Sequence, residues 1–145
     1  MLDRFERFSF AMFEISRCWH KIAADAMRQY DLKGPYAVYL SVLYRNDGIT
    51  AARLSELCAR DKADISRAIP VLEKKGLISK DAGYRATIHL TDAGKELANT
   101  INQKIMAAVS YAGKDLSEED RNTFYASLDS LVHNLQDLSQ NGLAL

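Results

Sequence analysis

The sequence predicts a mainly α-helical chain with one two-stranded hairpin, and three observations lead there. Apolar residues recur at helical 3–4 spacing through both ends of the chain. Between those ends lie shorter segments bounded by cap residues, turns and glycines. Only residues 77–80 and 86–90 read as short strands, joined by a glycine-containing loop. At 145 residues, 48% of them hydrophobic, the chain suits one domain whose core needs neither disulfide nor metal. No apolar stretch reaches the roughly 18 residues of a membrane span. Asp3 and Arg4 stand where a secretory leader would be apolar, so a cytoplasmic chain with no membrane partner is expected. Cys18 and Cys58 form no CxxC pair, which also suits a reducing compartment.

The elements follow in order. Phe5, Phe8, Met12, Ile15, Trp19, Ile22 and Ala26 form one stripe of a long first helix, and Phe10 and Phe13 fall off it. Asp31–Pro35 is a turn, with Pro35 suited to open a helix running to about Arg45. Asn46-Asp47-Gly48 stops that helix. Thr50 then caps a short helix through Cys58 that buries Leu54 and Leu57. After the Arg60-Asp61 break, Asp61 caps a helix through Lys75, with Asp64 in the capping-box position and Gly76 as the C′ glycine. Residues 81–85 join the two strands. A long helix starts after Thr91, with Leu97, Ile101, Ile105 and Ala108 inward. Ser117 followed by Glu118, Glu119 and Asp120 opens the last helix, whose stripe is Phe124, Leu128, Leu131, Leu135 and Leu138.

Two readings of the long terminal helices are open: an antiparallel pair closing a monomeric bundle, or a dimer in which both ends pack on a partner. The dimer is preferred because Phe10 and Phe13 need a second apolar surface. On that reading the single domain 1–145 divides into dimerisation helices, 1–30 and 92–145, and a lobe, 34–91.

Helix, tight break, helix and hairpin is the order of a winged helix-turn-helix with a two-stranded wing. Within 61–76 the apolar set is Ile65, Ala68, Ile69, Leu72 and Val71. The other face shows Lys62, Ala63, Ser66, Arg67 and Pro70, short-chained apart from two cations, as a helix entering a DNA groove requires. Pro70 removes the amide that would bond the Ser66 carbonyl, so a kink is expected. Lys+Arg and Asp+Glu each number 19. That neutrality hides a lobe segment, 53–90, with eight basic and five acidic residues, and a tail, 91–145, with four and eight. A polyanion would meet the middle and avoid the tail.

Asp61-Lys62-Ala63-Asp64-Ile65-Ser66-Arg67-Ala68-Ile69, then Leu72-Glu73-Lys74-Lys75-Gly76-Leu77-Ile78, resembles the recognition helix and strand entry of the multiple-antibiotic-resistance-repressor (MarR) family. Leu90-Thr91-Asp92-Ala93-Gly94 resembles that family's Leu-Thr-x-x-Gly junction after the wing. The resemblance implies a homodimer with interlocking terminal helices that binds a pseudo-palindromic DNA operator as a transcriptional regulator, usually a repressor. The family's charged wing tip, commonly Asp-Arg-Arg, is replaced here by Ala82, Gly83 and Tyr84, which leaves Arg85 as the wing cation. Chemistry then gives the roles. Arg67 and Lys62 clamp phosphates, or Arg67 reads a guanine; Ser66 bonds a base edge or phosphate; Ala63 leaves room beside them; Arg85 enters the minor groove; Arg53 touches the backbone.

Members of the family often bind a small aromatic or phenolic effector where the dimer helices meet the lobe. Trp19, His20, Tyr30, Tyr36, Tyr39 and Tyr111 are candidates to line such a site, although ordinary packing is the preferred reading of these rings. Cys18, near His20 and Lys21, is the candidate for a thiol-based redox switch, with an inert thiol preferred. His133 shares a helix face with Asp129 and Asp137, but no metal-ligand cluster is assigned and no cofactor is implied. Nothing in the sequence asks for an enzyme. The alternative to operator binding is a winged-helix module for dimerisation or protein interaction.

Overall fold

The computed structural model describes residues 3–143, and among them the chain runs α1 (Arg4–Arg28), α2 (Tyr36–Arg45), β1 (Ile49–Thr50), α3 (Ala51–Cys58), α4 (Lys62–Lys74), β2 (Ile78–Lys80), β3 (Thr87–Leu90), α5 (Asp92–Ala112) and α6 (Glu118–Asn141). It forms two compact units, one through Ile105 and one from Met106. No helix among the described residues is long and apolar enough to cross a membrane.

In the first unit, α1 opens with a capping box: the Asp3 carboxylate accepts from the Glu6 amide at 2.8 Å, and Glu6 accepts from the Asp3 amide at 3.2 Å. α1 buries only Met27, and leaves Phe5 and Phe13 at 75% and 69% exposure. α2 begins one residue later than the sequence suggests, with Pro35 in the cap position. The core gathers Tyr39, Leu40 and Leu43 of α2, Leu54 of α3, Ile65 and Leu72 of α4, Ile88 of β3 and Ile101 of α5. Two expected core residues lie outside it: Leu57 is 39% exposed and Val71 37%. The apolar stripes of α3 and α4 are wider than the core they cover.

The expected two-stranded wing is present as β2 and β3, and β1 adds a third strand to its sheet. β1 pairs with β3 (Ile49↔Ile88, Thr50↔Thr87), and β3 with β2 (Ile78↔Leu90, Ser79↔His89, Lys80↔Ile88), all antiparallel. β3 alternates, with Ile88 and Leu90 buried and Thr87 and His89 on the opposite face.

Two backbone devices fix the lobe. α4 ends in a Schellman motif: Gly76, at φ +71°, donates to Glu73 O at 2.9 Å, and Leu77 donates to Leu72 O at 3.0 Å. Gly94 then lets α5 lie against the strand entry, since a Cβ there would stand 1.9 Å from the Leu77 carbonyl oxygen. Thr91 secures the junction. Its amide donates to Leu77 O (3.0 Å) and its hydroxyl to Gly76 O (2.6 Å), and the hydroxyl accepts from the Gly94 amide (3.1 Å).

In the second unit Ser117 caps α6, accepting from the Asp120 amide at 3.1 Å. Arg121 folds back to donate twice to Gly113 O, at 3.1 and 2.8 Å. α6 buries none of its residues, and its stripe of Phe124, Leu128, Leu131, Leu135 and Leu138 is exposed.

Candidate nucleic-acid interface

The turn between α3 and α4 is built from short-range bonds. Thr50 caps α3 through the Arg53 amide (3.2 Å), and Ala59 ends it in the left-handed region at φ 50°. The buried Ser55 hydroxyl donates to the Arg60 carbonyl, which turns the chain sharply into α4. Asp61 occupies the cap position with extended backbone but makes no side-chain cap bond, contrary to the sequence reading. Asp64 pairs instead with Arg67, at 2.7 Å. A cation three residues along a helix competes for the carboxylate more strongly than an amide at the helix end.

α4 buries Ile65, Ala68, Ile69 and Leu72, and presents Lys62, Ala63, Ser66, Arg67 and Pro70 to solvent. The helix runs on through Pro70 to Lys74 with the proline on its exposed side, although the residue offers no amide to the Ser66 carbonyl. Lys62 has no ion-pair partner among the described residues, while Arg53 is paired with Glu56 at 2.9 Å. Arg67 also lines a cleft with Arg28, Lys33 and Tyr36 at the start of α2. Arg28 and Lys33 carry no local signal in the sequence, because only the packing of α2 against the helix pair brings them near α4.

At the wing, Arg85 adopts φ 60° and its guanidinium lies 5.8 Å from the Tyr84 ring centroid. Tyr84 is 95% exposed, a tip aromatic to which the sequence pattern assigns no role. The base of the wing is closed by the Asp81 amide donating to Thr87 O at 3.1 Å and by the Thr87 hydroxyl donating to the Asp81 carboxylate. That hydroxyl, with His89 beside it, holds the Asp81 carboxyl below its ordinary range.

A separate cavity of about 400 Å³ opens between α1, α2 and α3, lined by Trp19, His20, Pro35, Val38, Tyr39, Cys58 and Arg60 among others. Of the six predicted ligand-site rings it unites Trp19, His20 and Tyr39. Tyr36 faces the α4 cleft instead, and its phenol is pushed up by burial. Tyr30 packs against the core beneath Lys104, 5.8 Å from its ring, and Tyr111 belongs to the other unit, exposed beside Lys114. Arg60 donates from Nε to the Tyr39 hydroxyl at 3.4 Å, so the cavity wall includes the α3–α4 turn itself. Burial pushes the Cys58 thiol up to about 11. Cys18 is exposed, but its neighbour is the Glu14 carboxylate at 3.6 Å, and Lys21 is held by Asp25 at 2.7 Å. The cationic setting expected for a reactive Cys18 is therefore not formed.

Residues 30–83 match the model of the MarR family. An uncharacterised HTH-type transcriptional regulator of Bacillus subtilis, YybA, is 26% identical over 126 residues, 84% of each chain. A MarR transcriptional regulator from Methanosarcina mazei superimposes with a TM-score of 0.84 at 22% identity, over 95% of this chain and 94% of that one. The MepR–DNA complex of Staphylococcus aureus gives a TM-score of 0.78 at 25% identity, over 88% and 97%.

Proposed function

We infer that this chain, which matches the MarR family model over residues 30–83 and has a winged-helix fold, is a transcriptional regulator that represses by binding a pseudo-palindromic operator as a homodimer. The observation that carries the reading is the outer face of α4: Lys62, Ala63, Ser66, Arg67 and Pro70 stay exposed while Ile65, Ala68, Ile69 and Leu72 anchor the opposite face in the lobe. Each lobe seats α4 in a major groove, the two grooves about 34–36 Å apart. Lys62 and Arg67 neutralise phosphates, Ser66 bonds a base edge or phosphate, and Ala63 lets the helix approach closely. Arg53 reaches the backbone and Arg85 the minor groove. The relative solved with DNA, MepR, supports this use of the fold. Dimerisation is supported by the uncovered apolar faces that α1 and α6 each carry in their own unit.

A small aromatic or phenolic effector suits the cavity of Trp19, His20, Tyr39 and Arg60, which is apolar with a few polar tips. Its occupation would act on Arg60 and so on the turn that aims α4, lowering operator affinity.

Enrichment of random duplexes on purified protein tests the DNA reading. A palindromic consensus with two half-sites about one helical turn apart is the expected result. No enrichment, with free passage through heparin at low salt, would leave the interaction-module reading in its place. For the effector, quenching of Trp19 fluorescence by phenolic acids, abolished in Arg60→Ala, is expected; quenching unchanged by that substitution removes the assignment.

A further inference from the structure

We propose that His89 is a positioning residue for the wing and that it ties DNA affinity to its own protonation. The imidazole lies on the solvent side of the sheet, opposite the core, with neutral Ser79 as its register partner on β2. On the β1 side stands Gly48, where a Cβ would come 3.0 Å from the ring, so the ring fills the space that glycine leaves. Two acids face it from different loops, Asp47 from the turn before β1 and Asp81 from the wing base. Among the described residues they are the acids within 4 Å of its ring nitrogens.

Both contacts of that ring are satisfied together only when it carries two protons. The Thr87 hydroxyl spends its own proton on Asp81, so towards His89 Nε2, 3.0 Å away, it is an acceptor and Nε2 must donate. Asp47 Oδ1, 3.3 Å from Nδ1, is a carboxylate oxygen, so Nδ1 must donate as well. A neutral imidazole has one N–H and satisfies one side only; the imidazolium satisfies both. Protonation therefore completes a brace from Asp47 through His89 to Thr87 and Asp81, and holds the wing hairpin to the lobe. It also cancels one negative charge beside the strand that carries the hairpin towards a polyanion. Deprotonation opens one side of the brace and leaves two uncompensated carboxylates near the phosphates.

The inference rests on the DNA-binding reading, and its test separates the two. Affinity for a bound duplex is followed by fluorescence anisotropy from pH 8.5 to 6 at constant ionic strength. Each lobe takes up at most one proton on binding, and an overall gain of about tenfold towards pH 6 is expected. His89→Gln, which keeps one donor and cannot charge, should bind at the high-pH level throughout, and Asp47→Asn should show about half the logarithmic slope. An identical pH dependence in His89→Gln and wild type overturns the proposal while leaving DNA binding intact. If no duplex binds at any pH, the DNA reading fails, and the brace is then decided on the free protein. Exchange of the Asp81 amide, corrected for its intrinsic pH dependence, should slow as pH falls in wild type and not in His89→Gln; equal behaviour in both removes the brace.

Discussion

Gly94→Ala tests whether the junction between wing and α5 sets the geometry of the lobe. The new Cβ would stand 1.9 Å from Leu77 O and 2.9 Å from Leu77 C, against an ordinary separation of 3.4 Å or more. Helix and strand entry must therefore separate by about 1.5 Å, the difference between 3.4 and 1.9. Neither side can give locally. Leu77 is bonded through its amide to Leu72 at the end of α4, and its carbonyl takes the Thr91 amide. Overpacking of this kind costs up to about 3 kcal/mol. Breaking the Thr91–Leu77 bond adds about 1 kcal/mol, and the better helix propensity of alanine returns up to about 1 kcal/mol. The net cost is about 3 kcal/mol, or about 10 °C in melting temperature for a chain of this size. Urea unfolding followed by helical circular dichroism, at one protein concentration, measures it. Gly113→Ala is the control, because its Cβ would meet nothing nearer than Arg121 Nε at 3.4 Å and Val109 O at 3.7 Å, ordinary separations. A Gly94→Ala protein within about 0.5 kcal/mol of wild type would refute the argument.

The remaining predictions concern single side chains. Lys62→Ala should lower the slope of log affinity against log salt by about 1.8 for a dimer, since each of the two lobes then neutralises one phosphate fewer; an unchanged slope removes Lys62 from the interface. Pro70→Ala should raise stability by about 1–3 kcal/mol in the same urea assay, since the proline is solvent-facing and inside a continuous helix. A drop in stability would show that its ring contributes packing. Cys58, with its thiol pushed up to about 11 by burial, should alkylate at pH 8 far more slowly than exposed Cys18, and speed up about tenfold per pH unit on approaching that value. Equal rates for the two thiols at pH 8 would contradict it.

What the sequence made legible was local chemistry. The Gly76 helix end, the Thr50 and Ser117 caps and the Leu90-Thr91-Asp92-Ala93-Gly94 junction all stand where the residues put them, because each depends on neighbours within a few positions. β1 is not legible there, because two residues become a strand only by pairing with Thr87 and Ile88, far along the chain. The same distance hides the brace, since Asp47 and His89 are 42 positions apart, and the Arg60–Tyr39 bond, 21 apart. Asp64 misleads for a different reason. Cap and ion pair are both local there, and the side-chain partner prevails over the amide.

That ion pair also bears on the proposed DNA-binding face of a chain with zero net charge. Arg67 and Arg53 are each held by an acid three residues away, Asp64 and Glu56, so the field of the lobe is muted in the free protein. Such exposed pairs are worth only about 0.2–1 kcal/mol, less than a charge-assisted phosphate bond, so a duplex can draw the arginines off their partners. Asp64 then remains on the binding face as a repulsive charge, which penalises DNA whose other interactions do not compensate for it. Asp64→Asn removes both the tether and the repulsion. Affinity for random duplex at low salt should rise about fivefold to tenfold for a dimer, with a smaller gain on the selected operator, so that discrimination narrows. Weaker binding to both DNAs would mean that Asp64 is needed to aim Arg67, and that the pair is part of the bound geometry instead of a restraint on the free one.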